Sequence, residues 1–279
     1  MKKILFFITA LVLLFSLACC SARIEESEEE VASVNAATEE TKASNTVTVT
    51  FPEGFTVTRI AERLEENGVC SALDFINECN NREYLEEYGI DIPTPENRSF
   101  LLEGYLFPDT YEFYIGESAS SAVRRFLSNF NSKYTDEMKE RAAELGYTFD
   151  EILSLASIIE KETYFAEDLK KIASVLHNRL NSSSFPCLQC DVSKSYLRNY
   201  VEPYVTQERY EEIYPLYNSY TCKGIPEGPI SSPSFAAVEA ALYPESTDYY
   251  YFVTDKENKQ SYYAVTYEEH LENCKKAGW

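Results

Sequence analysis

Between Phe149 and Thr163 the chain carries the one helix that every other segment has to accommodate. Ile152, Leu155, Ala156, Ile159 and Thr163 recur at i, i+3 and i+4, the spacing of one buried helical face. Two carboxylates, Glu160 and Glu162, interrupt the far end of this apolar run. Glu162 lies one turn beyond Ile158 and Ile159, so aliphatic side chains crowd it; Glu160 follows Ala156 and Ser157, a smaller and wetter neighbourhood. A carboxyl in apolar surroundings has its pKa raised and stays protonated near neutral pH, as a general acid requires. From this window alone two readings stand. Glu162 is a general acid, or both glutamates flank a core helix and point at water.

The N-terminus sets the compartment. Lys2 and Lys3 precede an apolar run from Ile4 to Ala18, and the small residues Cys19, Cys20, Ser21 and Ala22 follow. That is the charged, apolar and small-residue order of an export signal. Leu17-Ala18-Cys19-Cys20 also resembles a bacterial lipobox, in which a cysteine becomes the lipid-bearing first residue. Leu at −3 favours Cys20 and Ala at −1 favours Cys19. An uncleaved signal anchor fits the same residues, although the run is short against the ~20 apolar residues of a comfortable span. Each reading puts residues 1–20 at the membrane and the body outside the cytoplasm. Residues 21–45 follow as a tether: Glu25, Glu26, Glu28, Glu29 and Glu30, then Ala, Ser, Thr and Glu with almost nothing to bury. Such composition does not offset chain entropy and is expected to be disordered.

The whole chain has a formal charge of −21, so it would repel phosphate backbones and nucleic acid is excluded as a partner. Its 22 Tyr and 16 Phe suit sugar-stacking surfaces, but aromatics fill ordinary cores as well. Cys70, Cys79, Cys187, Cys190, Cys222 and Cys274 form an even set that permits disulfides, with the pairing open. Cys187-Leu188-Gln189-Cys190 is a lone CxxC. Neither His177 nor His270 stands at finger spacing, and no strand–helix context surrounds the motif, so neither a metal nor a cofactor is expected.

Turn residues divide the body. Val47–Phe51 alternates as a strand ending at Pro52-Glu53-Gly54. Thr56 or Thr58 caps a helix through Ile60, Ala61 and Leu64 that stops at Asn67-Gly68, and Ser71 caps a second through Phe75 and Ile76. A loop with Pro93 and Pro95 leads into Glu103–Tyr111, completing a strand–helix–helix–strand unit. Helices follow through Phe126, through Ala142, over 149–163 and through Leu176. Residues 186–233 read as loop with short elements, then come a helix at 236–242 and a hairpin from 249–253 and 260–265. The fold class is α+β. Residues 46–115 form a small βααβ module and residues 116–279 a mixed α/β domain with the helix-borne glutamate.

Several segments resemble one family together. Leu102-Glu103-Gly104-Tyr105-Leu106-Phe107-Pro108-Asp109-Thr110-Tyr111 is similar to its "EG-x-LFPDTY" segment. Ser157–Glu162 is similar to its "ASIVEKE" helix and Ala173–Leu180 to its "ASVFxNRL" helix. Leu188-Gln189-Cys190-Asp191 corresponds to "LQ-S/T-D", Tyr217-Asn218-Ser219-Tyr220 to "YNTY" and Gly224–Ile230 to "GLPPGPI". Tyr251-Phe252-Val253 and Glu269-His270 match the closing "YFV" and "EH". From about Val47 to His270, in order, the chain resembles the endolytic murein transglycosylases (YceG-like lytic transglycosylases).

The resemblance implies a LysM-like first module and a cleaving activity on the β-1,4 bond between N-acetylmuramic acid and N-acetylglucosamine, with the muramyl C6 hydroxyl replacing water as nucleophile. One carboxyl then suffices, first as acid and then as base. By motif position it is Glu162. Gln189, Asp191, Ser193, Asn218 and Tyr220 are the candidate substrate contacts, with loop scaffolding as the alternative for each. Glu103 and Asp109 are expected at the junction of the modules, and Asn178 and Arg179 are expected to pin helices. Peptidoglycan strands, the wall-synthesis machinery with its penicillin-binding proteins, and the membrane are the implied partners. A non-catalytic wall-binding lipoprotein and a water-using muramidase with Asp191 as second carboxylate are the alternatives. The chain departs from the family at Glu227 (usually Pro), Cys190 (usually a small hydroxyl) and Ser261 (commonly His). The added N-terminal module of the family's long forms is not expected here.

Overall fold

Strand β1 (Thr46–Thr50) pairs antiparallel with β2 (Thr110–Tyr114), and the pairing runs on through Phe51 N–H, which donates to the Asp109 carbonyl at 2.9 Å. The computed structural model describes residues 45–163, 165–255 and 257–279; the export signal or lipobox with Cys19 and Cys20, and the tether up to residue 44, lie outside them. No helix among the described residues is long and apolar enough to cross a membrane.

Between the first two strands, hydroxyl caps start two helices. Thr56 accepts from Arg59 N–H at 3.2 Å to open α1 (Val57–Glu66), and Ser71 accepts from Asp74 N–H at 3.4 Å to open α2 (Ala72–Glu78). A third helix, α3 (Glu83–Tyr88), starts without a side-chain cap and closes on Gly89 in the left-handed conformation. The unit is therefore βαααβ and not βααβ. Its second strand also begins later than expected: Glu103–Pro108 is a buried run of turns, and only Thr110–Tyr114 is extended.

The face of this sheet is aromatic. Phe126, on α4 (Ala119–Lys133), lies 5.0 Å from Phe51, 4.5 Å from Tyr111 and 5.9 Å from Phe113 between ring centres. Rings at such separations add about 0.5–1.5 kcal/mol per pair to the area they bury. Thus α4, which follows residue 115, shares one core with β1 and β2, and Val47–Trp279 packs as one compact unit.

After α5 (Asp136–Glu144) comes the helix singled out by its periodicity, α6 (Phe149–Glu162). A reciprocal cap starts it: the Thr148 hydroxyl accepts from Glu151 N–H at 3.1 Å, and the Glu151 carboxylate accepts from Thr148 N–H at 2.8 Å. Every residue from Ile152 to Ile159 is buried, beyond the single face that its spacing implies. The reason is cover on several sides. Helix α5, α7 (Leu169–Leu180), α8 (Asp191–Tyr196) and α10 (Phe235–Leu242) all pack on it. Each large aliphatic side chain so enclosed contributes roughly 1.5–3 kcal/mol.

Residues 186–233 hold more helix than expected, since α9 (Gln207–Tyr217) runs eleven residues with Pro215 inside it. Strands β3 (Tyr251–Asp255) and β4 (Gln260–Ala264) form an antiparallel hairpin, in register from Tyr251 opposite Ala264 to Asp255 opposite Gln260. Helix α11 (Tyr267–Lys276) closes against it. The whole is a mixed α/β fold with two small sheets among many helices.

Two of the motif segments meet. Gly104 has φ of +87°, and a Cβ there would lie 2.4 Å from the ring of Pro229, so only glycine lets the Glu103–Pro108 turns approach the Gly224–Ile230 loop.

Candidate active site

At 100° per residue, Glu160 and Glu162 leave α6 on opposite sides. Both are half-buried, and their surroundings separate them. The Glu160 carboxylate accepts from Ser234 N–H (3.1 Å) and Ser234 hydroxyl (2.6 Å), where Ser234 is the cap of α10. Glu160 therefore pins one helix to another. Glu162, the last residue of α6, opens into a cleft of about 510 Å³.

Three sections of chain build the opposite wall. The first is the segment before α8. Arg179 Nη1 donates to the Leu188 carbonyl at 2.5 Å, and Gln189 N–H donates to the Ser219 carbonyl at 2.8 Å. Gln189 itself has φ of +59°, a conformation uncommon for a residue with a Cβ, and its side chain lines the cleft. Asp191 and Val192 line it next. The Asp191 carboxylate pairs with Lys194 at 2.7 Å and bonds Tyr220, and these partners hold it below the ordinary carboxylate range.

The second section is Tyr220, whose ring carries Lys194 Nζ at 4.0 Å from its centre. The third comes from the C-terminal part of the chain. Tyr251 and Thr254 of β3, with Tyr267, His270 and Cys274 of α11 and the exposed Trp279, complete the wall. The Tyr251 and His270 rings stack at 5.2 Å, and burial together with the nearby Arg179 charge moves His270 below its ordinary value.

Of the residues singled out from sequence, Glu162, Gln189, Asp191 and Tyr220 share this cleft. Ser193 and Asn218 lie beneath it. Ser193, fully buried, donates to the Cys190 carbonyl at 3.0 Å and accepts from Ser219 N–H at 3.1 Å; Asn218 Oδ1 accepts from Tyr220 N–H at 3.1 Å. Both shape the loops that carry the wall and do not face it.

Asn178 and Arg179 do not pin helices. They hold the approach to β3: Asn178 donates to the Thr247 and Tyr249 carbonyls, and Arg179 Nε to that of Tyr250 at 2.8 Å. Arg179 also reaches the cleft. Tyr251, Tyr267, His270 and Trp279 had no role in the sequence reading. The "YFV" and "EH" matches point to two of them, but nothing local tells that they face Glu162 from a hundred residues away. Ser261, at the position where a His is common, donates to Asp168 at 2.5 Å and serves the hairpin.

Glu103 stays out of the cleft. Fully buried, it accepts from Val57 N–H at 3.1 Å, at the start of α1, and from Tyr196 hydroxyl at 3.1 Å. Burial pushes its pKa up to about 8, against the lowering effect of these donors and of Lys161. The unfolded group titrates near ~4.3. Its contribution to stability is thus fully present below that value and is lost as pH rises towards 8. Glu103→Gln is expected to remove this loss. The melting temperature of the variant relative to wild type should rise between pH 5 and pH 8, by an amount corresponding to about 1–3 kcal/mol. A pH-independent difference in calorimetry would refute it. Asp109 also lies at a junction, where Asn129 (3.1 Å) and Lys133 (3.6 Å) of α4 bind it.

The arrangement of a helix-end carboxyl, a strained loop and aromatic rings along one cleft can be set against known proteins. The YceG-like family profile matches residues 24–276. This chain belongs to that family. It is 29% identical over 229 residues to a Bacillus subtilis protein named endolytic murein transglycosylase, covering 80% of this chain and 62% of that one. A protein of the same name from Streptococcus pneumoniae is 28% identical over 256 residues, 85% of this chain and 45% of the relative. The chain thus spans about half to three fifths of the length of these relatives. A crystal structure of a yceG-like protein from Listeria monocytogenes superposes with a TM-score of 0.69 at 29% identity, covering 81% of this chain and 75% of that one.

Proposed function

We propose that this YceG-like chain is an endolytic lytic transglycosylase that cuts the N-acetylmuramic acid–N-acetylglucosamine bond inside nascent glycan strands, leaves 1,6-anhydromuramyl ends and so limits strand length. The observation that carries the reading is Glu162 at the mouth of α6, in one cleft with Gln189, Asp191 and Tyr220. In this mechanism Glu162 protonates the leaving glycosidic oxygen, then accepts the proton of the muramyl C6 hydroxyl as that oxygen closes on its own anomeric carbon. The negative end of the α6 dipole lies at this carboxyl and favours its protonated form. Gln189 and the rings of Tyr220 and Tyr251 bind the sugars, and Asp191 with Lys194 orients them. The β1–β2 unit, LysM-like in its resemblance, aligns the strand.

Asp191 in the same cleft is the observation that favours a hydrolytic muramidase instead, because acid and base or nucleophile must flank one bond in such enzymes. Digestion of long, uncrosslinked glycan decides. Mixed internal fragments with anhydromuramyl ends are expected early. Reducing ends would establish hydrolysis, disaccharides released stepwise from a terminus would refute endolytic cutting, and an intact substrate would leave a wall-binding protein.

Anchoring through Cys20 or Cys19, beside penicillin-binding proteins at the membrane, belongs to the same proposal. Fractionation of a variant with both cysteines changed to Ser tests it: release or blocked processing is expected, and an unchanged membrane fraction of unchanged size would favour a signal anchor.

A further inference from the structure

Trp279 carries the most exposed large apolar side chain among the described residues, 78% accessible, and it borders the cleft that holds Glu162. Its backbone is nevertheless locked. Where α11 ends, Ala277 N–H donates to the Asn273 carbonyl at 2.9 Å, and Gly278 takes the left-handed conformation at φ of +80°. Gly278 N–H then donates to the Lys275 carbonyl at 3.4 Å, and Trp279 N–H to that of Cys274 at 3.0 Å. These two bonds close a Schellman motif, the second tying the residue after the glycine to the last turn of the helix. Cys274, the acceptor, is itself on the cleft wall. The cap thus brings the indole to the rim of the cleft on an ordered backbone.

Other rings accompany it. Tyr267, 54% exposed, and Tyr220, 43% exposed, border the same cleft. A single exposed aromatic needs no explanation, but several around one cleft, edged by polar groups, mark a ligand groove. Here the polar edge is Gln189, Asp191 and Thr254. A pyranose suits both halves of this lining. Its C–H groups lie against the electron-rich face of an indole, while its hydroxyls reach an amide, a carboxylate and a threonine hydroxyl.

We propose that Trp279 is a sugar-binding residue, whose indole stacks on one pyranose ring at the rim of the cleft and so holds the glycan strand across Glu162. The proposal rests on the reading of this cleft as a glycan site, and on neither the nucleophile nor the products. The ring lies away from the reacting bond and grips the strand equally before and during cleavage, so it sets KM and not kcat. The ordered cap reduces the entropy lost when the sugar settles on it.

The test uses the chain's one tryptophan as its own reporter. In the Glu162→Gln background, titration with uncrosslinked glycan strands should move the indole emission to shorter wavelength and shield it from acrylamide. In the active enzyme, Trp279→Ala should raise KM about tenfold while kcat stays within about twofold, and Trp279→Phe should recover most of the loss. If Trp279→Ala fails to fold, the emission shift in the chain that keeps Trp279 decides alone. Strands that bind in equilibrium dialysis without moving the emission would overturn the stacking role, as would wild-type KM in Trp279→Ala or a loss confined to kcat. Strands that do not bind at all would remove the glycan reading of the cleft, and the stacking with it.

Discussion

Glu162→Gln is expected to lower the release of anhydromuramyl ends by about two to four orders of magnitude while leaving thermal unfolding unchanged, the usual cost of losing an acid–base group. The amide has almost the volume of the acid, so the half-buried end of α6 keeps its packing. What the amide lacks is a proton to give and a base to take one back, and the proposed mechanism needs both from this single side chain. Glu160→Gln makes the contrast. Its carboxylate is engaged by Ser234 at 2.6 Å on the other side of the helix, so the variant should turn over at close to the wild-type rate. End-group analysis of a common glycan digest compares the two directly. Equal activity in both variants would remove Glu162 from the chemistry.

Asp150→Ala should produce the largest loss of stability, about 3–5 kcal/mol, because it strands a buried guanidinium. Asp150, in the first turn of α6, forms an ion pair with Arg98, and both side chains are almost wholly enclosed. Tyr105 hydroxyl donates to the other carboxylate oxygen at 2.6 Å. Arg98 Nε and Nη1 have no hydrogen-bond partner in the structure, so the guanidinium depends heavily on this one anion. For a folded body of this size each kcal/mol moves the melting temperature by roughly 2–4 °C. Calorimetry should therefore show a fall on the order of 10 °C, with a smaller one for Asp150→Asn, which keeps an acceptor for Tyr105. A melting temperature within a degree or two of wild type would mean that water or a rearranged partner compensates Arg98.

Local signals carried the helices well. Thr56 and Ser71 act as caps, and the apolar spacing along α6 and α7 marks what those helices bury. Where local chemistry is weak, the sequence misled. Helix α3 has no side-chain cap, and α9 carries Pro215 with only Ile213 and Tyr217 buried, so neither shows an apolar stripe. Glu103–Pro108 is apolar enough to pass for a strand, and only its contact with Pro229 explains why it turns. The cleft divides in the same way. Glu162, Gln189, Asp191 and Tyr220 stand in short recognisable segments, whereas Ser193 and Asn218 differ from them only in which way the loop faces. Period and motif place a residue in the chain, but only the packed loops decide which side meets the ligand.

The turn after β1 is sewn to the far half of the chain. Gly54 N–H donates to the Ser232 carbonyl at 2.8 Å, Ser232 N–H to that of Phe55 at 2.7 Å, and Lys161, the neighbour of Glu162, reaches back to Gly54. Anyone grafting the first strand and its helices from a different relative would thereby unpick the stitching beside the carboxyl itself. Swaps at residue 115 should yield hybrids that fold poorly or cut slowly, whichever parent supplies the cleft. Recombination in this lineage would then be expected to exchange what precedes β1, and to inherit everything after it as a single piece.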